Sequence, residues 1–147
     1  LMGLKYHDLP QIGQYLGQLM AEHLEGPKLW TDVEAIVPIP LHWTKQIQRG
    51  YNQSKQIALG ISQVTGIPVR EDLLIRNRKT QSQAKKSGAK RWTNVSGAFQ
   101  AALHLPSRIL LVDDVITTGA TIVAAAQAFE DRVDALSITS VALTRRN

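Results

Sequence analysis

Residues 109–121, Ile-Leu-Leu-Val-Asp-Asp-Val-Ile-Thr-Thr-Gly-Ala-Thr, constrain the fold of this chain more than any other stretch. Four apolar residues in succession suit a strand buried on both faces, as found in parallel sheets. Two carboxylates follow at its C-terminal end. A short loop of hydroxyls and one glycine then leads into an apolar-periodic helix that begins near Ala120. Such a strand–loop–helix turns backbone N–H groups and a helix N-terminus toward an anion. Thr117, Thr118 and Thr121 add hydroxyl donors, and Gly119 lets the backbone come close to a ligand. Asp113 and Asp114 would repel a phosphate, so they should face another part of the same molecule. Carboxylates accept well from paired sugar hydroxyls. Together these residues read as a ribose 5-phosphate site. Val115, Ile116, Thr117, Thr118, Gly119, Ala120 and Thr121 would hold the phosphate, with the ribose diol on the acids. No Gly-Lys-Ser/Thr follows a strand anywhere in the chain, which excludes a nucleotide-binding P-loop.

The remaining sequence bounds what surrounds this site. A chain of 147 residues is the size of one domain, and 44% hydrophobic with 20% charged residues argues against disorder of the whole. One domain over 1–147 is expected, with residues 1–30 as its helical N-terminal part. The absence of cysteine removes disulfides and thiolate metal sites, and fits a reducing, cytoplasmic location. No apolar stretch approaches the roughly twenty residues that span a bilayer, so no membrane association is expected. The opening Leu1-Met2 suggests a piece of something longer. Net charge is +5, and its distribution says more than its sum. From Leu73 through Val112 there is no acid, while Arg76, Arg78, Lys79, Lys85, Lys86, Lys90, Arg91 and Arg108 all fall there. Such a block suits a pyrophosphate-bearing substrate or a nucleic-acid backbone.

Periodicity predicts an amphipathic helix over 8–25, capped by Asp8 and Gln11, with Leu9, Ile12, Leu16, Leu19, Met20 and Leu24 as its core-facing stripe. Ala35-Ile36-Val37 reads as a short strand that must turn at Pro38 and Pro40. A helix from about Asn52 to Thr65 follows, burying Ile57, Ala58, Ile61 and Val64 and stopped by Gly66. Residues 67–69 and 73–75 are strand-like. Residues 77–95 have neither period, which in a compact domain marks a functional loop or lid. A strand over 108–112, a helix over 120–131 and a closing strand over 135–143 complete the chain. Strands alternating with helices argue for an α/β domain with a mainly parallel, twisted sheet flanked by helices. Ligands in such sheets sit outside the carboxyl ends of the strands, at the switch in winding.

All thirteen positions of 109–121 resemble the 5-phosphoribosyl 1-pyrophosphate (PRPP) motif of type I phosphoribosyltransferases. Four further stretches resemble the ComF family, the competence-associated branch of that superfamily: Val37-Pro38-Ile39-Pro40-Leu41-His42, Arg49-Gly50-Tyr51-Asn52-Gln53, Arg76 to Gln83 with Thr80 and Gln83 in the family's Thr-x-x-Gln spacing, and Arg91 to Phe99. Lys86 departs from the aliphatic residue the family usually has there. The cysteine zinc ribbon that precedes this domain in many members is not in the sequence.

The resemblance implies a type I phosphoribosyltransferase fold with a flexible lid loop over 77–95. It implies PRPP or a nucleoside monophosphate as ligand and Mg²⁺ as cofactor, held indirectly by Asp113 and Asp114 through PRPP and water. It makes Asp113 and Asp114 the catalytic acids, and Arg49, Gly50, His42, Lys85, Lys86 and Arg91 the candidates for pyrophosphate. Purine-salvage relatives carry a carboxylate where this chain has Thr117, so the loop is closer to that of orotate phosphoribosyltransferases and the acceptor is unassigned. Two readings stay open. One is a Mg²⁺-dependent phosphoribosyltransferase linked to DNA uptake. The other is a PRPP- or nucleotide-binding regulator, or an accessory protein handling single-stranded DNA, that has kept the pocket without turnover. Asn52 is expected to cap its helix rather than touch substrate, and homodimerisation is left open.

Overall fold

The computed structural model describes residues 10–23, 30–41, 50–77, 97–116 and 118–140. Its centre is a parallel sheet of three short strands, β1 (Ala35–Pro38), β4 (Arg108–Asp113) and β5 (Ala135–Ser140), in the order β1–β4–β5. Ile36 pairs with Leu110 on one side and bridges Val69 in parallel on the other. There the Ile36 N–H donates to Pro68 O and Ile36 O accepts from Arg70 N, both at 2.9 Å. The segment around Val69 thus lies beyond β1, and winding reverses between β1 and β4. Every residue of β1 is buried, as is β4 beyond Arg108. That explains why both read as unbroken apolar runs rather than alternating ones.

The two faces of the sheet carry separate apolar layers. On one, Ile36, Leu110 and Val112 pack with Ile57, Ala58 and Ile61 of helix α2 (Gln53–Thr65). On the other, Ala35, Val37, Ile109 and Leu111 pack with Ile122, Ala124, Ala125 and Phe129, which belong to helix α3 (Ala120–Gln127) and the turn after it. The same layer takes in Leu74 and Phe99 of a small antiparallel hairpin, β2 (Leu74–Arg76) and β3 (Phe99–Ala101). Arg76 sits opposite Phe99 in that hairpin. A single 3₁₀ turn, Glu71–Leu73, leads into β2.

α2 is delimited as its sequence indicates. The Asn52 side chain accepts from Ser54 N at 3.0 Å as N-cap, and Gly66 closes the helix at φ 74°, donating to Ser62 O. Val64, expected on its buried face, is 44% exposed. Helix α1 (Pro10–His23) departs further from expectation. Its buried positions are Gly13 and Gly17, while Ile12 of the predicted stripe is exposed, as is Tyr15 outside it. Small residues let α1 lie almost backbone to backbone on α2. A Cβ on Gly17 would stand 2.1 Å from Ile57 O, and one on Gly60 would stand 1.9 Å from Gln14 O. Gln14 Nε2 donates to Gln56 Oε1 and Gln18 Nε2 to Gln63 Oε1 across the pair. The predicted helix over 120–131 ends at Gln127, and Asp131 turns the chain at φ 58°. The expected capping residue Asp8, and most of the predicted lid over 77–95, lie outside the described residues.

Candidate functional site

The reversal of winding leaves the C-terminal ends of β1 and β4 side by side, with no helix crossing over between them. Pro38, without an N–H, ends β1. Ile39 still donates to Val112 O at 2.9 Å before the chain leaves the sheet. Neighbouring β4 ends on Asp113, which pairs with Ser140 of β5 and is only 7% exposed. One Asp113 carboxylate oxygen, Oδ1, accepts from the Asp114 N–H at 2.9 Å and from the Ser54 hydroxyl at 3.4 Å. Burial pushes the Asp113 carboxyl up to about 6, and the charge of Asp114 adds to the rise, while the Ser54 and Asp114 N–H bonds oppose it. An acid held in this way gains from a cation or hydroxyl donors arriving with a ligand.

Ser54 reaches Asp113 because α2 starts beside the sheet. Gln53 and Ser54, at its first turn, are each 1% exposed. The amide of Asn52 donates to Ile39 O at 3.1 Å while its oxygen caps α2. One side chain therefore fixes the exit of β1 to the start of α2. Gly50, just before it, has φ 74°.

Beyond the acids the loop opens α3. Gly119 takes a left-handed conformation, φ 76°, as N-cap residue, and its carbonyl accepts from Val123 N at 2.9 Å. The Thr118 hydroxyl accepts from Ala120 N at 3.4 Å. Asp113, Val115, Ile116, Thr118, Gly119, Ala120, Thr121 and Ile122 line a polar hollow of about 20 Å³, a cradle open to solvent. A Cβ on Gly119 would meet nothing within 4 Å, so the glycine is set by its φ and by the space a ligand would enter, not by neighbouring protein. Among the described residues no group of three or more His, Asp or Glu could cage a metal. No described helix is long and apolar enough to cross a membrane.

Known proteins resemble this chain in sequence and, separately, in fold. It is 38% identical to competence protein F of Haemophilus influenzae over 93 residues, 60% of this chain and 41% of that protein. It is 33% identical over 86 residues to competence protein ComFC of Streptococcus pneumoniae, 58% of this chain and 37% of that protein. The chain is thus similar in sequence to competence proteins F and ComFC. It is also 29% identical over 128 residues to DNA utilization protein YhgH of Escherichia coli, 84% of this chain and 56% of that protein. The chain spans about half the length of the curated relatives it matches. No family model matches it. Among solved structures, glutamine PRPP amidotransferase from B. subtilis, complexed with ADP and GMP, superposes with a TM-score of 0.60 over 95% of this chain and 30% of that one, at 19% identity. A second, described as the allosteric regulatory enzyme of purine biosynthesis, gives 0.58 at 20% identity. The fold of this chain is therefore that of the type I phosphoribosyltransferases.

Of the residues singled out from sequence, Asp113, Asp114, Val115, Ile116, Thr118, Gly119, Ala120 and Thr121 lie along one strand-to-helix turn. Gly50 stands two residues before the Asn52 cap. Thr117, His42, Arg49, Lys85, Lys86 and Arg91 lie outside the described residues. Sequence reasoning missed Ser54, whose hydroxyl reaches Asp113. It was hidden by its place in a helix whose other residues read as core.

Proposed function

We propose that this domain binds PRPP across the C-terminal ends of β1 and β4. In this reading it transfers or releases the 5-phosphoribosyl group with loss of pyrophosphate. The single observation that carries the reading is the buried Asp113 at the end of β4, followed directly by the Gly119 turn that opens α3. The turn offers donors to a 5-phosphate, and the acids offer acceptors to a ribose diol. As the bond from ribose C1 to pyrophosphate breaks, its electrons leave with the pyrophosphate and positive charge grows on the sugar. The charges of Asp113 and Asp114 favour that cation, so the protein contributes positioning and electrostatics rather than a catalytic triad. The donor set fits Mg²⁺, because two adjacent carboxylates without a third protein ligand among the described residues match an ion that keeps its waters and is shared with phosphates. Bound there, Mg²⁺ would neutralise pyrophosphate as a leaving group.

The relatives named for competence and for DNA utilization support a link to DNA uptake. The acid-free basic block from Leu73 to Val112 supports contact with single-stranded DNA as well as with pyrophosphate. The deciding experiment follows pyrophosphate release from PRPP and Mg²⁺, with candidate bases or single-stranded DNA as acceptor. Release above background that is lost in Asp113→Asn is the expected result. PRPP binding without release would favour the regulator reading. No binding would end both.

A further inference from the structure

Arg76 carries a half-buried positive charge with no carboxylate within salt-bridge distance among the described residues. It ends β2, and its guanidinium lies 5.1 Å above the ring of Phe99, the residue opposite it in the hairpin. Nη1 donates to Pro40 O at 3.4 Å, just past the end of β1. Burial lowers its pKa and the charge of Asp113 opposes the fall, so guanidinium and acid feel one another across the site. Guanidinium has five donors in a rigid fork and stays charged, and one long bond to a carbonyl leaves most of that capacity for an anion.

The position of this charge says which anion. The Gly119 turn lies on the α3 side of β4, whereas Arg76 is tied to the exit of β1. A ligand whose ribose meets Asp113 would span the two, its 5-phosphate in the turn and its other phosphates on the β1 side. A pyrophosphate brought beside two carboxylates needs fixed positive charge there. We propose that Arg76 is a pyrophosphate-binding residue, held by the Phe99 ring and the Pro40 carbonyl as a cation fixed to a strand rather than to a loop. The assignment rests on the proposed PRPP site and adds a residue to it.

Three proteins test it: the parent, Arg76→Lys, which keeps the charge, and Arg76→Met, which keeps an apolar stem over Phe99. Titration calorimetry with Mg²⁺-pyrophosphate and, separately, with ribose 5-phosphate reads the two halves of the site apart. Arg76→Met should weaken pyrophosphate by about tenfold or more, the scale of a hydrogen bond to a charged group, and leave ribose 5-phosphate within about twofold. Arg76→Lys should recover part of the loss. Equal weakening of both ligands in Arg76→Met, without rescue by Lys, would make Arg76 a structural residue only and overturn the assignment. So would pyrophosphate binding to Arg76→Met as it does to the parent. A parent that binds neither PRPP nor pyrophosphate would overturn the site and this residue together.

Discussion

Asp113 holds a charge that its own fold resists. Its pKa stands at about 6 against 3.8 for a free aspartate, mainly because the strand end buries it and then because Asp114 is adjacent. A native pKa above the unfolded one means that the folded chain binds more protons between those values. Stability should therefore fall as pH rises from about 4 to 6 and stay lowered above that. Asp113→Asn should raise the melting temperature at pH 8 and change it little at pH 4, while PRPP binding is lost. A melting temperature unchanged at pH 8 would show that the carboxylate is not under strain. PRPP affinity of the parent should likewise drop as pH falls through 6, where Asp113 gains its proton. The adjacent acids and Gly119 were legible because they lie within one run of sequence. Ser54 and Arg76 were not, because the contact of Ser54 with Asp113 and the approach of Arg76 to the exit of β1 depend on how the sheet is wound.

At the scale of elements, contact between α1 and α2 is set by glycine backbones rather than by the leucine stripe. Gly60→Ala would place a Cβ 1.9 Å from Gln14 O, too close for α1 to stay where it is. Such overpacking should cost about 1–3 kcal/mol in chemical denaturation, more than alanine returns in helix propensity. Ligand binding at the far side of α2 should be largely spared. Asn52→Ala removes an N-cap worth about 1 kcal/mol. It also frees the exit of β1, since the same amide holds Ile39 O. Its loss should therefore weaken PRPP binding beyond what a mere cap would, and calorimetry on Asn52→Asp, which keeps the cap but not the amide donor, separates the two. The sequence marked α2 to the residue because its cap and stop are local signals. It misread the face of α1 because an apolar stripe shows that a helix has a greasy side, not which side meets a neighbour. It missed β3 because three residues, Phe99 to Ala101, are too short for a period and pair only with a strand more than twenty positions earlier.

Across the whole molecule, the proposed function rests on one topological fact: β1 and β4 are neighbours whose following helices pack on opposite faces of the sheet. Alternation of strands and helices announced a parallel sheet, and resemblance announced the fold that the solved structures share. The order β1–β4–β5 came from neither periodicity nor charge, because register between distant strands leaves no mark in a single sequence. The central claim is that the cleft made by that order binds PRPP. Calorimetric titration of PRPP into the protein with Mg²⁺ should give one site on the parent. Binding should be lost in Gly119→Val, because a branched side chain is strained at φ 76° and fills the space a ligand would enter, while the circular dichroism should stay close to the parent's because the strain falls on one turn residue outside the strands and helices. Equal PRPP affinity in the parent and a folded Gly119→Val would contradict it.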